Sequence, residues 1–132
     1  MNTLSDLRKY IKEEIQIHEF RFPNGIIKPE PCIYFLCANE EIVYIGQAHN
    51  LFIRLGQHIE SKIFNRAFYV KCSCDNLSNW EKDLQEIFLP IYNSEPWVIK
   101  RRKEIEIERI QIELKECNCC GRLLRDCICD NL

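Results

Sequence analysis

The amino-acid sequence predicts a small α+β domain in which helices flank a three-stranded antiparallel sheet, with a core in the order β-β-α-β-α. Two neighbouring segments, 32–37 (CIYFLC) and 41–46 (EIVYIG), are rich in β-branched and aromatic residues and are separated by a short polar turn, which is typical of a β-hairpin. The hydrophobic spacing becomes helical after residue 50 and strand-like at 67–72. It is helical again at 76–90, where a proline ends the segment.

The first 30 residues predict a helix followed by a connecting loop. Apolar residues recur at intervals of three and four between residues 4 and 16, which predicts an amphipathic helix packed on the body of the domain. Ser5 and Asp6 are candidates for its N-terminal cap. Prolines and an Asn-Gly pair within residues 17–30 favour turns and short extended pieces.

The helix that follows the hairpin is predicted from about Leu51 to Ser61, with Asn50 as its cap. Arg54 and His58 are four residues apart and therefore share one face of this helix. The apolar residues predicted to line another side are Leu51, Leu55 and Ile59.

Residues 94–116 form a charged connector that fits either a helix or a strand. Its Glu, Lys, Arg and Gln content favours a helix and its isoleucines spaced by two favour a strand. We prefer a helix that is apolar on two sides. Four contiguous bases in the connector predict contact with nucleic-acid phosphates, and a solvated helix face is the alternative. These bases are Lys100, Arg101, Arg102 and Lys103.

The last segment, residues 117–132, holds five of the nine cysteines of the chain. Four of them have spacing that resembles a zinc knuckle, which predicts a structural Zn²⁺ site with four thiolate ligands. Cys119 is a fifth candidate that this assignment leaves out, and buried or redox-active thiols are the alternative. The predicted zinc ligands are Cys117, Cys120, Cys127 and Cys129.

The composition limits the classes of protein that fit. A chain of 132 residues suits one domain with a short tail. The net charge of −2 gives no basic excess of the kind that alone suggests nucleic-acid binding, and no apolar run approaches the length of a membrane span. The first residues lack the pattern of a secretory signal, so we expect a cytoplasmic protein whose cysteines bind metal or are buried.

Four polar side chains lie where the predicted elements direct them toward one cleft. Tyr34 and Tyr44 lie on the paired strands, and Arg54 and His58 lie on the next helix. Arginine forks onto phosphate, histidine moves protons near neutral pH, and a carboxylate binds a hard cation. Together with tyrosine hydroxyls, these groups fit phosphodiester chemistry better than acyl transfer.

The hairpin carries two tripeptides, CIY at 32–34 and YIG at 44–46, separated by nine residues. The residues that continue this pattern are Arg54, His58, Glu81 and the closing PIYN at 90–93. Over residues 31–93 the pattern resembles the GIY-YIG nuclease family, in its excision-repair and homing-endonuclease branches, and implies the GIY-YIG nuclease fold. Cys32 departs from the family, which has glycine there, and a strand position tolerates this small side chain.

The resemblance implies a catalytic role for each matched residue. Glu81 binds a single Mg²⁺ or Mn²⁺ ion, and Arg54 stabilises charge on the scissile phosphate. Tyr44 takes a proton from the attacking water, and Tyr34 orients Tyr44. The two tyrosines remain alternatives for the base. His58 hydrogen-bonds either to the phosphate or to a tyrosine hydroxyl.

Two further residues have supporting roles, and Glu81 has an alternative one. Gly46, at the predicted exit of its strand, would allow a positive φ or close approach of the substrate. Asn93 would order the site. Glu81 also completes a capping box with Ser78, in which its carboxylate would bond to the Ser78 amide instead of a metal ion.

The leading hypothesis is therefore a divalent-metal-dependent DNA endonuclease that has no membrane association. The alternative on the same fold is a catalytically weak or inactive module that binds nucleic acid or another protein. A third hypothesis, a zinc-dependent redox or metal-handling protein, rests on the number of cysteines alone.

Overall fold

A computed structural model describes residues 2–11, 15–20 and 29–114, which form an α+β structure with a four-stranded antiparallel sheet and four helices. The elements in chain order are α1 (Leu4–Tyr10), β1 (His18–Phe20), β2 (Cys32–Ala38), β3 (Glu41–Ala48), α2 (Leu51–Ile59), β4 (Arg66–Lys71), α3 (Cys74–Phe88) and α4 (Pro96–Leu114). Two compact units divide between Val98 and Ile99, inside α4. Within the described ranges, no helix combines the length and apolar character needed to cross a bilayer.

The sheet has the strand order β1-β4-β2-β3, so the prediction of three strands was wrong. The additional strand is β1, which pairs antiparallel with β4 and buries Phe20. It lies in the segment predicted as a loop with extended pieces. A strand of three residues is too short to show an alternating pattern, and its stability comes from pairing with β4, which is distant in sequence.

The central strand β2 is buried on both faces. One face carries Ile33 and Phe35, which pack against apolar residues of α1 and α3. The other face carries Tyr34 and Leu36, which pack against Leu51 and other apolar residues on the α2 side. Two layers of helices therefore cover the sheet, and Tyr34 points into the layer that contains α2.

A β-bulge in the hairpin changes the direction of the side chains along β3. Leu36 pairs with Tyr44, but the next residue, Cys37, pairs with Ile42, which leaves Val43 as an extra residue. Ile42 consequently packs in the cluster beneath α1 and α3, whereas Tyr44 packs on the α2 side. The bulge thus places Tyr44 on the same face as Tyr34.

The N-terminal helix is shorter than predicted, since α1 ends at Tyr10 and Ile11 is extended. Its N-cap is Thr3, not Ser5. The Thr3 side chain accepts a hydrogen bond from the Asp6 amide, and the Asp6 carboxylate accepts from the Thr3 amide, which completes a capping box.

The helix after the hairpin has the predicted N-cap, because the Asn50 side chain accepts a hydrogen bond from the Ile53 amide. It ends at Ile59, two residues before the predicted end. The predicted apolar face was partly wrong: Ile59 is 59% exposed, and His58 is buried with Leu51 and Leu55 instead. The buried face of α2 therefore delivers a polar side chain to the sheet.

The third helix starts at Cys74, two residues before the predicted segment, and ends before Leu89, whose φ of 45° is left-handed.

The connector is helical through Leu114, which decides between helix and strand for residues 104–114. The predicted zinc ligands lie outside the described residues, as does Cys119.

The outer edge of β3 is closed by the segment between α3 and α4. The Tyr92 amide donates to the Val43 carbonyl at 2.9 Å. The Asn93 side chain then pairs with the Ile45 peptide as a neighbouring strand would, since its Oδ1 accepts from the Ile45 amide and its Nδ2 donates to the Ile45 carbonyl, both at 2.9 Å. The segment thereby satisfies polar groups that an edge strand otherwise leaves open.

Replacing Asn93 with alanine is expected to destabilise the protein by about 2 kcal/mol, because the buried Ile45 amide loses its acceptor. Urea unfolding followed by circular dichroism measures this loss. Asn79→Ala is the matched control at an exposed position of α3, where alanine maintains or slightly raises stability. Equal stability of the Asn93→Ala protein and the wild type would contradict the assigned role.

Candidate active site

Three predicted residues, Tyr34, Tyr44 and His58, form one aromatic cluster on the α2 side of the sheet. The ring centroid of His58 lies 5.6 Å from that of Tyr34 and 4.7 Å from that of Tyr44, and the two tyrosine centroids are 6.0 Å apart. The Tyr34 hydroxyl and His58 Nε2 share a buried hydrogen bond of 2.6 Å. Of the two partners expected for His58, the structure therefore provides a tyrosine hydroxyl.

Gly46 is required by the packing of Tyr34. The two residues lie opposite each other in the β2–β3 ladder, and a Cβ atom on residue 46 would lie 2.5 Å from the Tyr34 hydroxyl oxygen. Gly46 is inside β3, not at its exit, and it has no left-handed φ. The positive φ expected for this glycine was therefore wrong, and its absent side chain makes room for the tyrosine ring.

Burial maintains Tyr34 and His58 in their neutral forms. Tyr34 is 1% exposed, and this burial raises the pKa of its hydroxyl far above the ordinary value. Burial, followed by the charges of Lys62 and Arg54, lowers the pKa of His58 to about 4. The short hydrogen bond therefore joins two uncharged groups at neutral pH.

Tyr44 is the more accessible of the two tyrosines. Burial and then the Glu95 carboxylate raise the pKa of its hydroxyl, while the Tyr34 hydroxyl and the Arg54 charge act in the opposite direction. The Lys62 ammonium group lies 4.7 Å from the centre of the Tyr44 ring, a cation–π contact. Tyr44 thus lies between positive groups and a carboxylate.

Arg54 is exposed on α2, and its Nη1 donates a hydrogen bond to Gln57 Oε1 at 3.1 Å. Among the described residues, no carboxylate lies within 4.0 Å of its guanidinium group, so this charge is available to a ligand. The groups whose pKa Arg54 lowers, in addition to the larger effect of burial, are Tyr34, Tyr44, His58 and Glu81. Its charge therefore acts on every other member of the predicted catalytic set.

Glu81 lies in the middle of α3, which starts at Cys74, so the alternative role in a capping box with Ser78 was wrong. Its Oε1 accepts a hydrogen bond from Gln85 Nε2 at 3.2 Å. Its Oε2 is buried and has no hydrogen-bond partner among the described residues. Burial, and then the negative charge of Glu95, raises the pKa of Glu81 to about 7.

Gln85, Glu95 and Trp97 belong to the site, although the sequence analysis did not select them. Gln85 Nε2 donates to the Ile45 carbonyl at 2.9 Å, and its Oε1 accepts from Trp97 Nε1 at 2.7 Å, which fixes the orientation of the amide. Glu95 lies within 3.5 Å of the same Gln85 nitrogen. The spacing of four between Glu81 and Gln85 was a usable signal for Gln85, whereas no motif marks the other two.

A groove of about 530 Å³ opens beside Arg54. It lies between the end of β3, the first turns of α2 and the first half of α3. The polar side chains that line it include Gln47, His49, Asn50, Gln57 and Ser78. Amide and hydroxyl groups of this kind both donate and accept hydrogen bonds, so the groove suits a polar ligand such as a nucleotide.

The basic run of α4 and Cys32 are the other predicted features within the described residues. Within α4, Lys100 and Lys103 are exposed, whereas Arg101 forms ion pairs with Glu104 at 3.3 Å and Glu108 at 3.9 Å, which offsets part of the charge of the basic run. Burial raises the pKa of the Cys32 thiol to about 11. Among the described residues, no three His, Cys, Asp or Glu side chains are grouped closely enough to hold a metal ion by themselves.

A Gly46→Ala substitution is expected to lower stability by about 1–3 kcal/mol, because the new methyl group overlaps the Tyr34 ring, which is buried and bonded to His58. Gly56→Ala in α2 is the control, since no atom lies within 4 Å of a Cβ atom there. That control gains up to about 1 kcal/mol in helix propensity. Urea unfolding of both variants measures the difference, and equal effects would contradict the packing role of Gly46.

The contribution of His58 to stability is expected to fall as the pH decreases from 6.5 to 4, since the unfolded chain binds a proton at His58 before the folded protein does. The raised pKa of Glu81 acts in the opposite direction over much of this range. The contribution of His58 is complete above pH 6.5, and its full loss near pH 4 is about 3 kcal/mol. Between the two pH values, urea unfolding should show that the wild type loses about 3 kcal/mol more stability than His58→Gln does. His49→Gln, at an exposed histidine, should behave as wild type. A wild-type pH dependence in His58→Gln would exclude this role.

The candidate site is formed by side chains from β2, β3, α2, α3, the segment that follows α3 and the first turn of α4. They lie around the outer edge of β3, where Gln85 and Asn93 both donate to the carbonyl of Ile45. No protein-family model, curated protein or solved structure matches this chain.

Proposed function

We propose that this protein is a divalent-metal-dependent DNA endonuclease that hydrolyses phosphodiester bonds by a GIY-YIG mechanism. The observation that carries the proposal is the position of Arg54. Its guanidinium has no carboxylate partner among the described residues, and its charge acts on both tyrosines, His58 and Glu81. A phosphate bound by Arg54 therefore lies close to groups that hold a cation and move a proton.

Glu81 is suited to hold the catalytic cation. Its Oε2 is buried without a hydrogen-bond partner among the described residues, which is costly for a carboxylate unless a ligand supplies positive charge. Mg²⁺ and Mn²⁺ prefer such hard oxygen ligands, and Mg²⁺ commonly takes one or two protein carboxylates together with substrate phosphate. A bound cation supplies charge that stabilises the developing negative charge on the phosphate.

Tyr44 is the proposed base and Tyr34 its positioning partner. Tyr34 is buried and its hydroxyl is bonded to His58, so it is poorly placed to reach water. Tyr44 is more accessible, and both the Tyr34 hydroxyl and Arg54 favour its anionic form. Because burial raises the pKa of Tyr44, the rate of cleavage should increase toward alkaline pH.

Arg54 contributes binding and charge stabilisation at the phosphate. A guanidinium group forks onto phosphate oxygens, and no carboxylate among the described residues competes for it, although its Nη1 also donates to Gln57. The groove beside Arg54 has polar walls, which suits the nucleotide next to the scissile bond.

Supercoiled plasmid DNA with Mg²⁺ provides the direct test. The wild type should nick the plasmid, EDTA should abolish nicking, and Arg54→Ala and Glu81→Gln should each reduce the rate by at least about 100-fold. Arg8→Ala and Glu86→Gln make the same chemical changes at other positions, and both should cut at the wild-type rate. Tyr44→Phe should lose more activity than Tyr34→Phe. Equal nicking by wild type, Arg54→Ala and Glu81→Gln would refute the proposal.

A second candidate function is DNA binding without cleavage. It is favoured by the raised pKa of both tyrosine hydroxyls, which makes either a weak base unless nearby positive charge is added. The same set of variants separates the two functions. The binding module is supported if wild type binds DNA, Arg54→Ala binds it more weakly, and the DNA remains intact in the presence of Mg²⁺.

A further inference from the structure

Glu95 lies in the candidate site, just before α4, and its carboxylate is held in a defined orientation. Asn93 Nδ2 lies 3.1 Å from each of its two oxygens, and Gln85 Nε2 lies 3.5 Å from Oε1. The residue is only partly buried. Two neutral amides therefore fix a negative charge at the outer edge of β3.

The carboxylates of Glu81 and Glu95 share one donor. Gln85 Nε2 is 3.2 Å from Glu81 Oε1 and 3.5 Å from Glu95 Oε1, so one amide nitrogen is within hydrogen-bond distance of both carboxylates. The same nitrogen also donates to the Ile45 carbonyl at 2.9 Å. An amide nitrogen carries two hydrogens, so three acceptors compete for them and the carboxylates are not fully satisfied.

The charge of Arg54 lowers the pKa of Glu81 but does not form an ion pair with it. Neither Glu81 nor Glu95 forms an ion pair within the part of the chain that the structure describes. Asn93 Nδ2 donates to the Ile45 carbonyl and to Glu95. In addition, Glu81 Oε2 is buried and has no partner among these residues. Two carboxylates thus share amide donors, and neither has a cationic partner within ion-pair distance in the described part of the chain.

We infer that Glu95 is a second carboxylate ligand of the divalent cation, paired with Glu81 across the Gln85 amide. This inference rests on the proposed function and adds a residue to its site. Two carboxylates match the charge of one Mg²⁺ or Mn²⁺ ion, and the remaining coordination positions belong to water and to the substrate phosphate. Asn93 and Gln85 are positioning residues, since they orient the carboxylates through hydrogen bonds.

Binding of Mn²⁺ to the full-length protein tests the inference without any measurement of activity. Electron paramagnetic resonance or titration calorimetry gives the dissociation constant for wild type, Glu81→Gln and Glu95→Gln. Each substitution conserves side-chain size and an acceptor oxygen but removes the charge. Both variants should weaken Mn²⁺ binding by at least about tenfold. The increase in Tm that Mn²⁺ causes in the wild type should be lost in parallel.

Glu86→Gln is the matched control, because it makes the same change on α3 at a residue whose nearest cation, Lys82, is 4.0 Å away at the surface. It should bind Mn²⁺ as wild type does. Any Mn²⁺ binding that persists in the Glu81→Gln/Glu95→Gln double variant comes from other positions. This residual binding is subtracted from the titrations of the wild type and the single variants. Circular dichroism confirms that each variant is folded.

Wild-type Mn²⁺ affinity in Glu95→Gln would overturn the inference, and so would a wild-type protein that binds no Mn²⁺. The plasmid assay is read separately. Cleavage that requires Arg54, Glu81 and Mg²⁺ retains the proposed nuclease even where Glu95→Gln binds Mn²⁺ normally. Conversely, Mn²⁺ binding that needs both carboxylates, in a protein that cuts no DNA, supports the cation site and refutes the nuclease.

Discussion

The peptide group of Ile45 is the structural point on which the candidate site depends. Its amide donates to Asn93, and its carbonyl accepts from both Asn93 and Gln85. An open strand edge normally invites pairing with another chain, and here side chains from α3 and from the segment after it satisfy the edge instead. The same two amides also orient Glu81 and Glu95, so closing the sheet and placing the carboxylates are one hydrogen-bond network.

Two local features of β3, a bulge and a glycine, complete this arrangement on the side of the sheet that faces α2. The bulge at Val43 turns Tyr44 toward α2, where an uninterrupted strand would place it on the same face as Ile42. Gly46 leaves space above the strand for the ring of Tyr34. The bulge and the glycine each allow a tyrosine ring to contact His58.

The sequence predicted those parts of the fold that depend on patterns among neighbouring residues. The hairpin and the helix capped by Asn50 each have a local signal, and the structure contains both. β1 was missed because its stability comes from a distant partner strand. The capping box at Ser78 would require a helix that starts near Ser78, but α3 starts at Cys74, so Glu81 lies within the helix. Glu95 has no local signal at all, since only the folded chain brings it to Gln85.

The electrostatics of the site link its stability to the proposed chemistry. Burial disfavours the charged forms of Tyr44 and Glu81, and each of these groups also experiences the negative charge of Glu95. Ionising Glu81 beside Glu95 in the metal-free folded protein therefore costs free energy. A cation that binds the folded form and not the unfolded chain relieves this cost and stabilises the fold. The same positive charge favours ionisation of Tyr44, so in the proposed enzyme the base becomes effective only after the cation is bound.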